Sequence, residues 1–143
     1  FAITCVMSLL WLAGAYSLSF ADGSHFVGGM SKAFLSGLEL DVPYADGQTI
    51  PELTFFAFQM TFFIITPALM VGAFVERIRF SAMLVFVTVW AILVYLPVCH
   101  MGWGGGSMLG LEGIMDHAGG IGVHITAGVG ALVAVLVLGP RSG

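Results

Sequence analysis

The sequence predicts an all-α polytopic membrane protein with four transmembrane helices, and three observations predict it. Of 143 residues, 59% are hydrophobic and 8% charged, with a mean hydropathy of +1.04; a soluble domain carries about 25% charged residues. The charges cluster and leave four charge-free stretches, each long enough to cross a hydrocarbon core of about 30 Å at about 1.5 Å per helical residue. Arg77, Arg79 and Arg141 lie at alternate junctions between these stretches, and Lys32 is the only other basic residue. The positive-inside rule therefore puts residues 76–79 and 139–143 in the cytoplasm and the acidic connections outside.

The first crossing covers about residues 1–21, an uncharged run of Leu, Ala and Ser closed by the turn signal Ala21-Asp22-Gly23. Residues 22–51 form an outer polar loop with Glu39, Asp41 and Asp46. The second crossing, residues 53–75, holds Gln59, Thr61, Thr66 and Pro67. A proline inside a membrane helix predicts a local kink that its neighbours accommodate. Glu76-Arg77-Ile78-Arg79 is a charged cytoplasmic hinge, and residues 80–98 are the third crossing. An outer loop over residues 100–115 includes Trp103-Gly104-Gly105-Gly106, where consecutive glycines let the backbone turn sharply beneath an indole. Residues 117–138 form the fourth crossing, stopped by Gly139-Pro140-Arg141.

A net charge of -4 excludes a nucleic-acid binder, which needs a basic surface. Cys5 and Cys99 lie inside apolar runs and read as small buried hydrophobes, not a disulfide framework. No nucleophile elbow, phosphate-binding glycine loop or zinc-protease helix occurs, so neither an enzyme nor a resident cofactor is expected. The chain starts in mid-run without Met and without a signal-peptide pattern, which reads as part of a longer membrane protein.

The candidate site residues lie at the outer ends of these helices. Asp116 is expected as the N-cap of the fourth crossing, with favourable dipole placement. His124 follows eight residues on, about 12 Å down a helix and near the bilayer midplane. A titratable ring at that depth marks a pathway, and the glycines and alanines around it admit a close helix approach. Phe55, Phe58 and Phe62 recur at helical spacing with Gln59 beside them; Phe55 is expected against lipid, and for Phe58 and Phe62 composition leaves open a lipid face or a dry aromatic path. His25, His100 and His117 are expected at the outer boundary in water. A metal site from His100, His117 and His124 is disfavoured, since its ligands lie at different depths.

Four motifs in order carry a family resemblance: Ala57-Phe58-Gln59-Met60-Thr61-Phe62; Glu76-Arg77-Ile78-Arg79-Phe80-Ser81-Ala82; His100-Met101-Gly102-Trp103-Gly104-Gly105-Gly106; and Asp116 with Ala118-Gly119-Gly120 and Val123-His124-Ile125, continued to Gly139-Pro140-Arg141. The set resembles the ammonium transporters (the Amt, methylammonium permease and Rhesus superfamily), most closely the bacterial-type Amt branch. The resemblance implies a fragment of an eleven-helix inverted-repeat fold, its second to fifth helices, forming a homotrimer in the cell membrane. It implies ammonium, with methylammonium as analogue, recruited by Trp103, Phe62, Asp116 and Ala118. Phe58 and Phe62 would form the gate that ammonia passes, and His124 would be the first of a pair of pore histidines. A PII-type nitrogen regulator is an implied cytoplasmic partner, and a membrane ammonium sensor is the alternative function. His117 departs from the aromatic or serine usual at its place.

Overall fold

A computed structural model describes residues 1–45, 47–105 and 113–141. Four helices in it are long and apolar enough to cross a membrane: α1 (Ala2–Phe20), α2 (Glu52–Phe74), α3 (Phe80–Trp103) and α4 (Gly120–Leu138). No β-strand occurs among the described residues; Gly23–Gly28 and Pro43–Pro51 are isolated bridges in the loop after α1. Helix is the form that lets such apolar runs satisfy every backbone N–H and C=O without water.

The core lies between α1, α2 and α3. Trp11, Tyr16, Phe63, Val87, Tyr95 and Leu96 are fully buried there. The Trp11 ring sits 5.0 Å from that of Phe63, and its Nε1 donates to the Phe56 carbonyl at 3.0 Å. α4 packs less deeply against α2 and α3. Gly130 makes that approach possible, because a Cβ there would lie 2.6 Å from Met70 Sδ and 3.1 Å from Trp90 Nε1.

Pro67 has the expected local effect. The regular helix ends at Leu69 and resumes at Val71–Phe74 after a turn at Met70, whose N–H donates to the Pro67 carbonyl at 3.2 Å. The Thr66 hydroxyl turns back to the Phe62 carbonyl at 2.6 Å. At the hinge, Arg77 Nη1 donates to the Ala73 carbonyl at 2.9 Å and Arg141 Nη2 to the Gly72 carbonyl at 3.1 Å. Two guanidinium groups from separate connections thus meet the C-terminal end of α2, where cations complement the helix dipole. That is the side on which alternation of the crossings placed them.

The loop after α1 folds back on the helix ends. Glu52, buried at the start of α2, accepts from the Tyr16 hydroxyl at 2.6 Å and pairs with Lys32, whose ammonium lies 5.3 Å from the Tyr44 ring centre. Burial, then the nearby Glu52 carboxylate, pushes the Tyr44 phenol up to about 12.

Four expectations are corrected. α3 continues to Trp103 instead of stopping at residue 98, and α4 starts at Gly120 instead of residue 117. Cys99 is buried, but Cys5 is exposed on the outside of α1. His100 is not in water: it has no exposed surface, and its ring nitrogens face the carbonyl groups of Ser19, in the last turn of α1, and Ser24, in the loop that follows.

Candidate functional site

An aromatic cleft of about 330 Å³ opens where the start of α2, the end of α3 and the start of α4 converge. Phe58 and Phe62 lie one helical turn apart on α2, and their rings meet edge to face at 5.1 Å. Trp103, the last residue of α3, brings its indole edge to face with Phe62 at 5.6 Å. These geometries aim ring edges at ring faces, the preferred aromatic arrangement, and leave π surface on the cleft. Asp116 and Ala118, preceding α4, line the same space. Five of the six residues singled out from sequence therefore meet in one cleft.

The chain before α4 shapes the floor. Ala118 and Gly119 both take left-handed backbone conformations, with φ of 54° and 81°. This double reversal delays the helix to Gly120. The Asp116 carboxylate still caps it: Oδ1 accepts from the Ile121 N–H and Oδ2 from the Gly122 N–H, both at 2.8 Å. Two of the orphan donors of the first turn are thereby satisfied, and the negative charge sits at the positive end of the helix. A Cβ on Gly122 would be a tight fit, 3.2 Å from Asp116 Oδ2 and 3.4 Å from Trp103 Cη2, so a larger residue would need those side chains to give.

His124 is the one candidate that does not line the cleft. It lies four residues into α4, about 6 Å along the axis from the start of the helix. Residues Gly120–Ile125 form a π-turn, in which the N–H groups of Val123 and His124 both reach the Gly119 carbonyl, at 3.0 and 2.9 Å. His124 Nδ1 lies 3.1 Å from that same oxygen. A carbonyl only accepts, so the contact places the proton on Nδ1 and leaves Nε2 of a neutral ring as an acceptor. The side chain is exposed, on a face of α4 that also exposes Ile125, Val129 and Leu132.

Sequence reasoning missed three contributors. Phe55 does not face lipid: it stacks on Tyr44 at 4.2 Å between ring centres, and both line the cleft. Gln59 lines it too, 7% exposed, with an Oε1 that has no hydrogen-bond partner among the described residues. Gln59 stood beside the phenylalanines in the sequence, whereas Tyr44 comes from the loop, where no periodic signal exists. Gly106 and the rest of residues 106–112 lie outside the described residues. Among the described residues no three His, Cys, Asp or Glu side chains group closely enough to hold a metal ion. A larger cleft of about 540 Å³ near Phe74, Trp90 and Val137 is walled almost wholly by apolar side chains and carries none of these groups.

The comparisons with known proteins agree on one family. The model of the Ammonium Transporter Family matches residues 1–143. The chain is 46% identical over 141 residues to an ammonium transporter of Bacillus subtilis, covering 99% of this chain and 34% of that protein. It is 46% identical over 136 residues to a putative ammonium transporter of Methanothermobacter thermautotrophicus, covering 95% and 33%. The crystal structure of Candida albicans Mep2 superposes with a TM-score of 0.85 at 38% identity, over 97% of this chain and 30% of that one. The chain thus spans about a third of the length of the curated relatives it matches. With a match over every residue and the same helical framework, the chain belongs to the ammonium transporter family.

Proposed function

We propose that this chain forms the outer mouth and part of the conducting wall of a protein that carries ammonium across the cell membrane. The observation that supports this most is the Trp103–Phe62 pair, 5.6 Å apart and edge to face over a cleft that Asp116 also lines. A desolvated cation over such faces gains about 2 kcal/mol or more. The Asp116 charge adds a favourable field although both its oxygens are bonded to backbone N–H groups. These contributions recruit ammonium but do not carry it through a dry pore, where the Born cost of an ion is of order 20 kcal/mol before relaxation.

In this reading the cation transfers a proton to solvent water at the open mouth, leaving hydronium outside, and neutral ammonia passes Phe58 and Phe62. His124 then offers Nε2 as an acceptor along the path. Potassium would be held by the same rings yet has no proton to lose, which is the basis of selectivity. The reading extends to a homotrimer with methylammonium as an alternative substrate, and to a PII-type regulator at the cytoplasmic face.

The test is methylammonium uptake by the protein at its natural length in transport-deficient cells, with Trp103→Leu and His124→Ala alongside. Saturable uptake in the wild type, weakened in Trp103→Leu through KM and in His124→Ala through the maximal rate, is expected. Wild-type uptake equal to that of empty vector rejects the proposal.

A further inference from the structure

His100 is a completely buried imidazole that the pathway described above does not use. Its Nδ1 lies 2.9 Å from the Ser19 carbonyl and its Nε2 lies 2.9 Å from the Ser24 carbonyl. A neutral ring donates from one nitrogen only, so one carbonyl is always served and the second only when the ring carries both protons. Both acceptors belong to the segment where α1 ends and the outer loop begins, 81 and 76 residues away in sequence.

That segment is itself tightly bonded. Gly28 N–H donates to the Leu18 carbonyl at 2.7 Å, Gly29 N–H to Asp22 at 2.9 Å, and Ser24 N–H to Val27 at 2.9 Å. Gly28 has no space for a Cβ, which would stand 2.5 Å from the Ala21 carbonyl oxygen. The histidine therefore grips a fixed point. On its own helix it lies three residues before Trp103, and its carbonyl accepts the Gly104 N–H at 2.9 Å, ending α3. A side chain on Gly104 would collide with the Ser19 carbonyl and come within 2.7 Å of His100 Nδ1.

We propose that His100 is a positioning residue for the outer cation site: it clamps the last turn of α3 to the exit of α1 and so sets where Trp103 stands over the cleft. This rests on the transport reading for its functional consequence. Phe62 and the glycines of α4 meet the indole from the cleft side, whereas the clamp holds the backbone that carries it. Without the clamp the indole loses its fixed register against Phe62, and cation recruitment weakens before conduction does.

The experiment uses the protein at its natural length, with His100→Ala, His100→Gln and Gly104→Ala. Gln supplies two N–H groups on one nitrogen and so restores part of the clamp; Gly104→Ala strains it from the opposite side with the histidine intact. Methylammonium uptake is measured against concentration and normalised to protein in the membrane. The tryptophan emission of each protein is read as the difference from its own Trp103→Phe partner. His100→Ala is expected to raise KM about tenfold with the normalised maximal rate retained, a loss of roughly 1.4 kcal/mol in recruitment. The Trp103 emission should shift to the red, with Gly104→Ala similar and His100→Gln in between. If His100→Ala does not accumulate, Gly104→Ala and His100→Gln carry the same expectation. Unchanged KM and emission, or a loss that follows protein abundance alone, overturns the clamp. A wild type that transports nothing refutes the transport reading instead, and the emission arm still decides whether His100 holds Trp103.

Discussion

Asp116→Asn separates two roles that the carboxylate combines. Its two oxygens accept the Ile121 and Gly122 N–H groups at 2.8 Å each, from a half-buried position. A hydrogen bond to a charged group contributes about 1.5–3 kcal/mol, and partial exposure puts these at the low end, about 3 kcal/mol for the pair. The amide keeps one neutral acceptor, worth about 1 kcal/mol, and turns an NH₂ toward the other N–H. The net loss is about 2 kcal/mol, or roughly thirtyfold in the population of the opened first turn of α4. Hydrogen exchange reads this directly, because local opening sets amide protection. Ile121 and Gly122 should exchange about thirtyfold faster in the variant, with Ala134 and Val135 unchanged. Should those two amides exchange at wild-type rates while uptake collapses, the carboxylate acts on the cation alone, and its assignment as the cap that shapes the mouth is wrong.

Gly130→Val drives a branched side chain into Met70 and Trp90, where even a Cβ is too close; it should cost about 1–3 kcal/mol by overpacking. The thermal midpoint in detergent checks this, with Gly72→Ala, which meets nothing within 4 Å, as the neutral control. Gln59→Met removes a buried acceptor without a partner among the described residues, whose desolvation costs about 1–3 kcal/mol. The fold should become more stable while the KM for methylammonium rises, and a variant that loses stability refutes this. The Tyr44 phenol, pushed up to about 12 by burial and then by Glu52, favours its neutral form in the fold. Its contribution is therefore complete below an unfolded value of about 10 and lost as pH rises through the folded one. Phenolate absorbance that is lower at pH 11 in the folded than in the unfolded protein, with the difference reduced in Tyr44→Phe but not abolished because Tyr16 and Tyr95 are buried too, confirms it.

The helices were legible because a membrane span is written in one dimension: a long run without charge. Their ends were less so. The fourth run loses its charges after Asp116, but Ala118 and Gly119 take left-handed conformations and hold the helix back to Gly120. Gly119 was the available signal, since glycine enters that region cheaply, whereas nothing local marks Ala118. At α3 the misleading residue was His100. A titratable ring in an apolar run suggests a boundary when read alone, yet Ser19 and Ser24 supply its partners from across the chain. No local pattern announces two carbonyl groups at such a sequence separation. The same reason hid Tyr44, which reaches Phe55 from an aperiodic loop. Phe58 and Phe62, at helical spacing, were legible as a pair, whereas the meeting of Trp103 with Phe62 followed from the resemblance and not from spacing.

The irregular start of α4 also explains how a cleft and an imidazole outside it belong to one device. In an uninterrupted α-helix the His124 N–H would bond to the Gly120 carbonyl; here it reaches back one residue further, to Gly119. That extra residue in the turn shifts the facing of side chains across it by about 100° relative to an α register. It lets one carbonyl meet the Val123 N–H, the His124 N–H and the His124 ring together. Gly119 is also where the Trp103 indole comes close, 3.6 Å from the position a Cβ would take. The aromatic lid and the imidazole are therefore set by the same short stretch of backbone, which Asp116 holds through the next two amides. A π-turn is less favourable than the α-turn it replaces, and a carboxylate bonded to its leading N–H groups is the kind of support that keeps it in place.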